Sequence, residues 1–250
     1  MNEFIDYYSF ITKYERSVNR RLNSILRGIL CDNNETEVIR SNLRIRPKLI
    51  EILLKYSKLI KKNERTYTTL IVCHSVCILD YYLYLTDIND NENLNILIIT
   101  VIYISMKYND DHYQYNIGIS TLLEIIDYTE DIVRDINIIK NKELDILTII
   151  DWKLEFSTIF DYILLYYKYY NKYFAKKSMQ NIKFECHKVL KCNECLRYYR
   201  ESLSIAILIK CNILKIQNNE IYIGDTLLSQ IHINKNLIKI INHIDIHEFN

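Results

Sequence analysis

The sequence predicts an all-α fold, and three observations support this prediction. The 250 residues include only 3 Gly and 1 Pro, so the tight turns of a many-stranded β protein have few residues to form them. Apolar residues recur at helical rather than alternating spacing along most of the chain. Hydrophobic residues make up 49% and charged residues 25%, which are ordinary proportions for a globular protein with a sizeable core.

The N-terminal part of the chain predicts a helical segment that precedes the first domain. Residues 3–30 have apolar side chains at helical spacing, and the polar residues 31–36 form a predicted loop. A first domain helix is predicted at about 45–61. Pro47, the chain's only proline, is placed near its start, where a missing N–H does no harm. We therefore separate residues 1–43 from the domain that follows.

The next four helices are placed by their caps and their apolar patterns. A second helix is predicted at about 66–85, and a third at 92–108 is apolar on nearly every side, which predicts a buried helix. Gly118 and Ser120 open a fourth helix ending near 127, and Thr129 caps a fifth that runs to about 152. The first domain therefore spans residues 44–156.

The second half predicts another helical bundle, at residues 157–250. Ser157 is the predicted cap of a helix that runs to about 174, and a polar stretch follows at 175–180. Further helices are predicted at about 183–199, 202–213, 224–231 and 235–247. The whole chain thus predicts two consecutive five-helix bundles without a strong residue-level repeat.

The net charge and the positions of the cysteines indicate what kind of partner and what cellular environment to expect. The net charge of +1 argues against a polyanion such as nucleic acid as the main partner. The 7 cysteines lie mainly in apolar helical stretches and no signal peptide opens the chain, so we expect an intracellular, reduced protein. The most apolar stretch, 94–106, is shorter than the ~20 residues that span a bilayer, and it predicts a core helix without a membrane role.

Glu143 and Lys107 are the charged residues whose positions call for an explanation. Glu143 falls on the apolar stripe of the fifth helix, where a carboxylate is costly unless it is paired. The stripe consists of Ile132, Ile136, Ile139, Ile146 and Ile150. A salt bridge to a neighbouring helix, contact with water and a functional role all remain open for Glu143. Lys107 ends the buried third helix, where a cation also suits the helix dipole.

Metal, cofactor and catalytic sites are not predicted. Cys186, His187, Cys192 and Cys195 include ligand types for zinc, but all fall on one predicted helix, which favours core packing. The same holds for Cys73, His74 and Cys77. No serine stands in a glycine elbow, and no Cys or His has a recognisable nucleophile context, so we do not expect an enzyme.

The aromatic stretch at 162–174, interleaved with lysines, admits two interpretations. Exposed aromatic rings beside basic residues stack on single-stranded nucleic acid. A core helix whose lysines extend their stems over apolar surface gives the same pattern. The near-neutral charge favours the core interpretation and argues against a nucleic-acid partner.

Four blocks of the first half resemble, in order, the motifs of the cyclin box. Residues 45–53 resemble Met-Arg-Ala-Ile-Leu-Val-Asp-Trp-Leu, and 78–83 resemble Leu/Ile-Asp-Arg-Phe-Leu. Residues 104–110 resemble Leu-Ala-Ser-Lys-Tyr-Glu-Glu, and 141–154 resemble the fifth cyclin helix with its Asp-Trp-Lys-Leu type end. In the second half, 198–206 are similar to Tyr-x-Pro-Ser-x-x-Ala of the second cyclin fold. The subtype stays open between P/U-type cyclins and transcription-type cyclins such as cyclin H.

The resemblance implies two consecutive cyclin folds and a non-catalytic subunit that binds and activates a cyclin-dependent Ser/Thr kinase in the nucleus or cytoplasm. Lys107 and Glu143 match the cyclin Lys and Glu that contact the kinase beside its C helix. Further implied interface residues are Tyr103, Tyr108, Asp110 and Ile139. Ile52 and Pro47 replace the Trp and Ala of the groove that docks Arg-x-Leu substrates, so we do not carry that function over.

Two alternatives keep the fold and change the function. General transcription factor IIB uses paired cyclin folds to bind promoter DNA and polymerase, and that hypothesis predicts a basic second repeat and an N-terminal zinc ribbon. Neither feature is evident in the sequence. The other alternative is a scaffold that binds a kinase without activating it, and the sequence does not separate it from an activating cyclin.

Overall fold

The computed structural model describes residues 37–60, 65–86, 88, 93–109, 118–126, 132–174, 176–218, 220–228 and 237–241. Over these residues the protein is mostly helical with one small sheet, which confirms the predominantly helical prediction. The described chain divides between Phe156 and Ser157 into two compact units. The predicted helix at 3–30, the loop at 31–36 and the Thr129 cap lie outside the described residues.

The unit that ends at Phe156 is built around one buried helix. Its elements are α1 (Glu37–Ile60), α2 (Arg65–Leu85), α3 (Leu94–Tyr108), α4 (Ile119–Ile125) and α5 (Ile132–Ile149). The side chain of Asn93 caps α3 by accepting hydrogen bonds from the N–H groups of Asn95 and Ile96. Helix α3 packs against α1, α2 and α5, and ten of its residues between Ile96 and Met106 are buried. The predicted burial of the third helix is therefore confirmed.

Helix α1 begins at Glu37, well before the predicted start at about residue 45, so Pro47 lies inside the helix. The placement of Pro47 in the first turn was wrong. Proline lacks the N–H that an interior helix residue donates, and an internal proline costs about 3 kcal/mol relative to alanine. Burial of the following turn offsets this cost, because Leu49, Ile50 and Leu53 are all 0% exposed.

Helix α2 carries the one stretch of the described residues that is long and apolar enough to cross a membrane. This stretch, Thr68–Leu85, has a mean hydropathy of 1.4, and 78% of it is buried inside the protein. Such burial is typical of a core helix in a globular protein. The structure is therefore compatible with a soluble protein.

The unit that begins at Ser157 contains α6 (Ile159–Tyr170), α7 (Lys176–Lys191) and α8 (Arg200–Lys210), with 3₁₀ turns at Asn171–Tyr173 and Glu194–Arg197. The cap of α6 is Thr158 rather than the predicted Ser157. The Thr158 hydroxyl accepts from the Asp161 N–H at 3.2 Å, and the Asp161 carboxylate accepts from the Thr158 N–H at 2.7 Å. This reciprocal capping box satisfies two donors of the first turn.

A three-stranded antiparallel sheet, which the sequence did not predict, follows α8. Its strands are β1 (Leu214–Gln217), β2 (Glu220–Ile223) and β3 (Thr226–Leu227), in that order. The predicted helix at 224–231 was wrong, because Gly224 has φ +58° and forms a two-residue turn with Asp225 between β2 and β3. Ile221 and Ile223 alternate with Tyr222 in burial, which is strand rather than helix periodicity. In the last predicted helix, 235–247, only 237–241 are described, and they are helical.

Replacing Gly224 by alanine is expected to destabilise this unit by about 1–2 kcal/mol, because a non-glycine residue is disfavoured at positive φ. The new Cβ would also fall on the ring of Tyr173, which must move. Urea unfolding followed by circular dichroism measures the loss. Gly118→Ala is the matched control, since no heavy atom lies within 4 Å of a Cβ there. Equal losses in the two variants would contradict the left-handed turn.

Candidate functional site

The structure brings Lys107 and Glu143 together at the surface of the first unit. Lys107 stands in the last turn of α3 and Glu143 on α5, and the Lys107 Nζ lies 2.7 Å from the Glu143 Oε1. The Lys107 side chain is 55% exposed and the Glu143 side chain 14% exposed. The pair therefore joins two packed helices and leaves the lysine open to solvent.

The charge of Lys107 is stabilised by its surroundings. The hydrogen bond to Glu143 raises the pKa of Lys107, and the nearby Glu143 charge and Tyr103 add to this against a smaller opposing effect of burial. Its Nζ also lies 5.2 Å from the centre of the Tyr103 ring. This arrangement gives Glu143 the interhelical partner that its place on an apolar stripe requires. Because the Lys107 side chain is 55% exposed, solvent screening limits the contribution of the pair to stability to about 1 kcal/mol.

The apolar stripe of α5 explains why Glu143 is partly buried. Ile139, Ile146 and Ile150 are all 0% exposed, as the spacing predicted. Ile139 therefore offers no surface to a partner, and its predicted place in an interface is corrected to a place in the core. Among the described side chains of α5, the large apolar ones that are exposed are Ile138 at 38% and Leu144 at 59%. Asp110, the other predicted interface residue on this edge, lies outside the described residues.

Tyr108, predicted as an interface residue, is 39% exposed and stacks on a buried histidine that the sequence analysis assigned only to the core. The rings of Tyr108 and His74 lie 4.8 Å apart with an angle of 15° between their planes. His74 Nε2 lies 2.8 Å from the Leu154 carbonyl, and Nδ1 lies 3.2 Å from the Asn109 amide nitrogen. Since a carbonyl only accepts, we assign Nε2 as the donor and Nδ1 as the acceptor of a neutral ring.

His74 and its hydrogen-bond partners form a network that holds the end of α3 and the segment after α5 in place beside the surface that carries Lys107. Asn109 caps α3 and also donates to the Ser105 carbonyl at 2.8 Å, so the end of α3 is held beside α2. The bond to Leu154 ties the segment after α5 to the same histidine. Sequence reasoning missed this role, because the partners of His74 come from positions 31 to 80 residues away.

The segment after α5 presents an exposed tryptophan. Helix α5 ends at Ile149 rather than at the predicted residue 152, and Asp151 and Trp152 have φ of 55° and 56°. The Trp152 N–H donates to the Leu147 carbonyl at 2.8 Å, which satisfies one carbonyl of the last turn. Trp152 is 62% exposed, a high value for the largest apolar side chain.

A buried ion pair connects residues 45–53 with residues 78–83, the first two of the four blocks that resemble the cyclin box. Arg46 on α1 and Asp80 on α2 are 2% and 8% exposed. The Arg46 Nε lies 2.6 Å from the Asp80 Oδ1, and Nη2 lies 2.9 Å from Oδ2, which is a bidentate geometry. Both residues fall within blocks that resemble the cyclin box, but their pairing could not be predicted from the sequence.

The Cys and His residues considered as metal ligands and the aromatic residues considered for base stacking are partly buried in the interior. Cys73, His74 and Cys77 are buried, which confirms core packing there. Among the described residues no three His, Cys, Asp or Glu side chains are grouped to hold a metal ion. Tyr162 and Tyr166 are 0% exposed and belong to the core, whereas Tyr167 is 42% exposed and Tyr169 and Tyr170 are half-buried.

No protein-family model matches the sequence, and no curated protein matches it.

Proposed function

We propose that the protein is a cyclin-like regulatory subunit that binds and activates a cyclin-dependent Ser/Thr protein kinase. The observation that carries this proposal is the Lys107–Glu143 pair, in which the two cyclin-matched residues, 36 positions apart, meet at the surface. The pair leaves the Lys107 side chain 55% exposed at the surface formed by α3 and α5, and this exposure supports a partner contact.

The other blocks that resemble the cyclin box also come together in one unit. The Arg of the first block and the Asp of the second form the buried ion pair between α1 and α2. The third block ends α3 at Lys107, and the fourth contains Glu143 and the exposed Trp152. All four blocks thus belong to one helical unit around the buried α3, as the resemblance implies.

The proposed mechanism is differential binding. The protein supplies no catalytic group in this proposal and favours the active kinase conformation, in which the C helix brings its Glu to the ATP-binding Lys. A ligand with equal affinity for both conformations would shift neither, so activation requires contacts present only in the active state. Lys107 and Glu143 would supply polar contacts to kinase backbone groups, and the exposed side chains of Leu144 and Tyr108 would supply apolar area.

Affinity capture from the native lysate tests the proposal. Wild-type protein is captured beside the Lys107→Ala/Glu143→Ala double variant, partners are identified by mass spectrometry, and each eluate is assayed for protein kinase activity. We expect the wild type to retain a cyclin-dependent kinase with activity and the folded double variant to lose it. Circular dichroism of both proteins verifies that the variant is folded.

The other outcomes separate the alternative functions. Capture of polymerase subunits or DNA without a kinase would favour a function like that of transcription factor IIB, and the steep salt dependence of DNA binding would verify it. A captured kinase without activity would identify a non-activating scaffold. Either result would contradict the activating function proposed here.

A further inference from the structure

Two cysteines face each other at the turn after α7. Helix α7 ends at Lys191 and the 3₁₀ turn begins at Glu194, so Cys192 and Cys195 lie three residues apart across the turn. Asn193 between them has helical backbone angles, φ −67° and ψ −35°. Residues three apart in helical backbone lie on the same side of the chain, and the Cys195 thiol hydrogen-bonds to the Cys192 sulfur.

The two thiols have different surroundings. Cys195 is 5% exposed, whereas Cys192 is half-buried and reaches solvent. The Cys195 hydrogen bond is the largest effect on Cys192 and lowers the pKa of its thiol to about 7. The Glu194 carboxylate, whose Oε2 accepts from the Cys192 Sγ at 3.2 Å, opposes this by disfavouring the thiolate. The net effect favours the thiolate of Cys192, the form that attacks disulfides.

The lowered pKa of the Cys192 thiol is not shared by Cys211 in the same unit. Cys211 is also half-buried, but burial and the nearby Glu185 charge raise its pKa to about 11. Cys186 is fully buried, and burial raises its pKa well above the ordinary range. Among the cysteines of the described chain, Cys192 alone combines access to solvent, a lowered pKa and a second thiol at hydrogen-bonding distance.

We propose that Cys192 and Cys195 form a redox-active dithiol that a low-molecular-weight disulfide such as oxidised glutathione converts to an intramolecular disulfide. The Cys192 thiolate attacks one sulfur of the disulfide, forming a mixed disulfide and releasing one glutathione thiolate. Cys195 then loses its proton and attacks the Cys192 sulfur, which closes the Cys192–Cys195 bond and releases the second glutathione. The protein loses two electrons and two protons, and the glutathione disulfide is reduced to two thiols.

Alkylation of the full-length protein at pH 7, mapped by mass spectrometry, measures the reactivity of each cysteine. Cys31, which lies outside the described residues, is replaced by serine in all samples. Iodoacetamide is expected to label Cys192 about 100-fold faster than Cys211, because the larger thiolate fraction outweighs the lower nucleophilicity of a more acidic thiol. Glu194→Gln, a change at an exposed position, is expected to lower the pKa of the Cys192 thiol further, because it removes a carboxylate that disfavours the thiolate.

Treatment with oxidised glutathione then distinguishes a dithiol from a single reactive thiol. The protein with Cys192 and Cys195 intact is expected to lose both thiols and retain no glutathione, and Cys195→Ser is expected to retain glutathione on Cys192. Cys211→Ser is the matched control. Like the protein that keeps Cys211, it should lose the thiols of Cys192 and Cys195 and retain no glutathione on them. Retention of glutathione on Cys192 with Cys195 still free, or equal labelling of Cys192 and Cys211, would overturn the proposal. The result is independent of whether the protein binds a kinase.

Discussion

Replacing Arg46 by methionine is expected to lower the free energy of unfolding of the first unit by about 3–5 kcal/mol. The change leaves the Asp80 carboxylate, which is 8% exposed, in the interior without its bidentate partner. Desolvation of an unpaired charge is far more costly than the loss of a hydrogen bond between neutral groups. The loss should therefore greatly exceed that of a surface substitution.

Trp152 makes this measurement specific to the first unit. It is the only tryptophan of the chain and follows α5 directly, so its fluorescence reports on the unit that contains Arg46. Urea unfolding of the full chain is followed at this fluorescence. Arg44→Met is the matched control, because Arg44 lies one half-turn away on the exposed side of the same helix, and a change within about 0.5 kcal/mol is expected there.

A double variant separates the cost of an unpaired charge from the net contribution of the pair. Arg46→Met/Asp80→Leu removes both charges and replaces them by apolar side chains of similar size. Its stability is expected to return to within about 1–2 kcal/mol of the wild type, since a buried ion pair and a well-packed apolar pair are nearly equivalent. An Arg46→Met loss no larger than that of Arg44→Met would contradict a buried ion pair between α1 and α2.

The sequence was informative wherever the local pattern alone determines the structure. Helix α3 is apolar on nearly every side, and such a helix is stable only when its neighbours surround it, so its burial could be predicted. The stripe of α5 likewise predicted the burial of Ile139, Ile146 and Ile150 and the need of Glu143 for a partner, although Ile136 of the same stripe is only half-buried. Its partner Lys107 was associated with it only through the family resemblance, because the two residues are 36 positions apart and no local rule connects them.

Local rules failed where packing or turn chemistry competes with them. Pro47 is a good helix-start signal, but the buried residues that follow it hold the chain in a helix that begins ten residues earlier. Gly224 also resembles a helix boundary, whereas its positive φ opens a hairpin whose alternation is too short to stand out in the sequence. The Arg46–Asp80 pair and the His74 network both join separate helices, which a single sequence does not reveal.

Exchanging the charges of Lys107 and Glu143 separates a structural ion pair from a partner contact. The Lys107→Glu/Glu143→Lys variant keeps opposite charges on α3 and α5 and leaves the net charge unchanged. If the pair served only to join the two helices, the exchanged protein would bind its partner like the wild type. Stability should change by less than about 1 kcal/mol, mainly because a carboxylate at the C-terminal end of α3 is unfavourable to the helix dipole.

We expect the exchanged protein to bind the captured kinase with an affinity about 2–5 kcal/mol weaker, which corresponds to a Kd roughly 30-fold to several thousand-fold higher. The reason is that kinase groups aligned with an exposed ammonium would meet a carboxylate and would stay buried without a partner. Biolayer interferometry with the purified kinase measures Kd. The matched control exchanges Asp151 and Lys153, an exposed pair after α5 at 2.8 Å, and should leave Kd nearly unchanged. A wild-type Kd for the Lys107/Glu143 exchange would show that the pair serves the fold alone. A kinase surface that binds a cation at position 107 and an anion at position 143 would bind the exchanged protein more weakly.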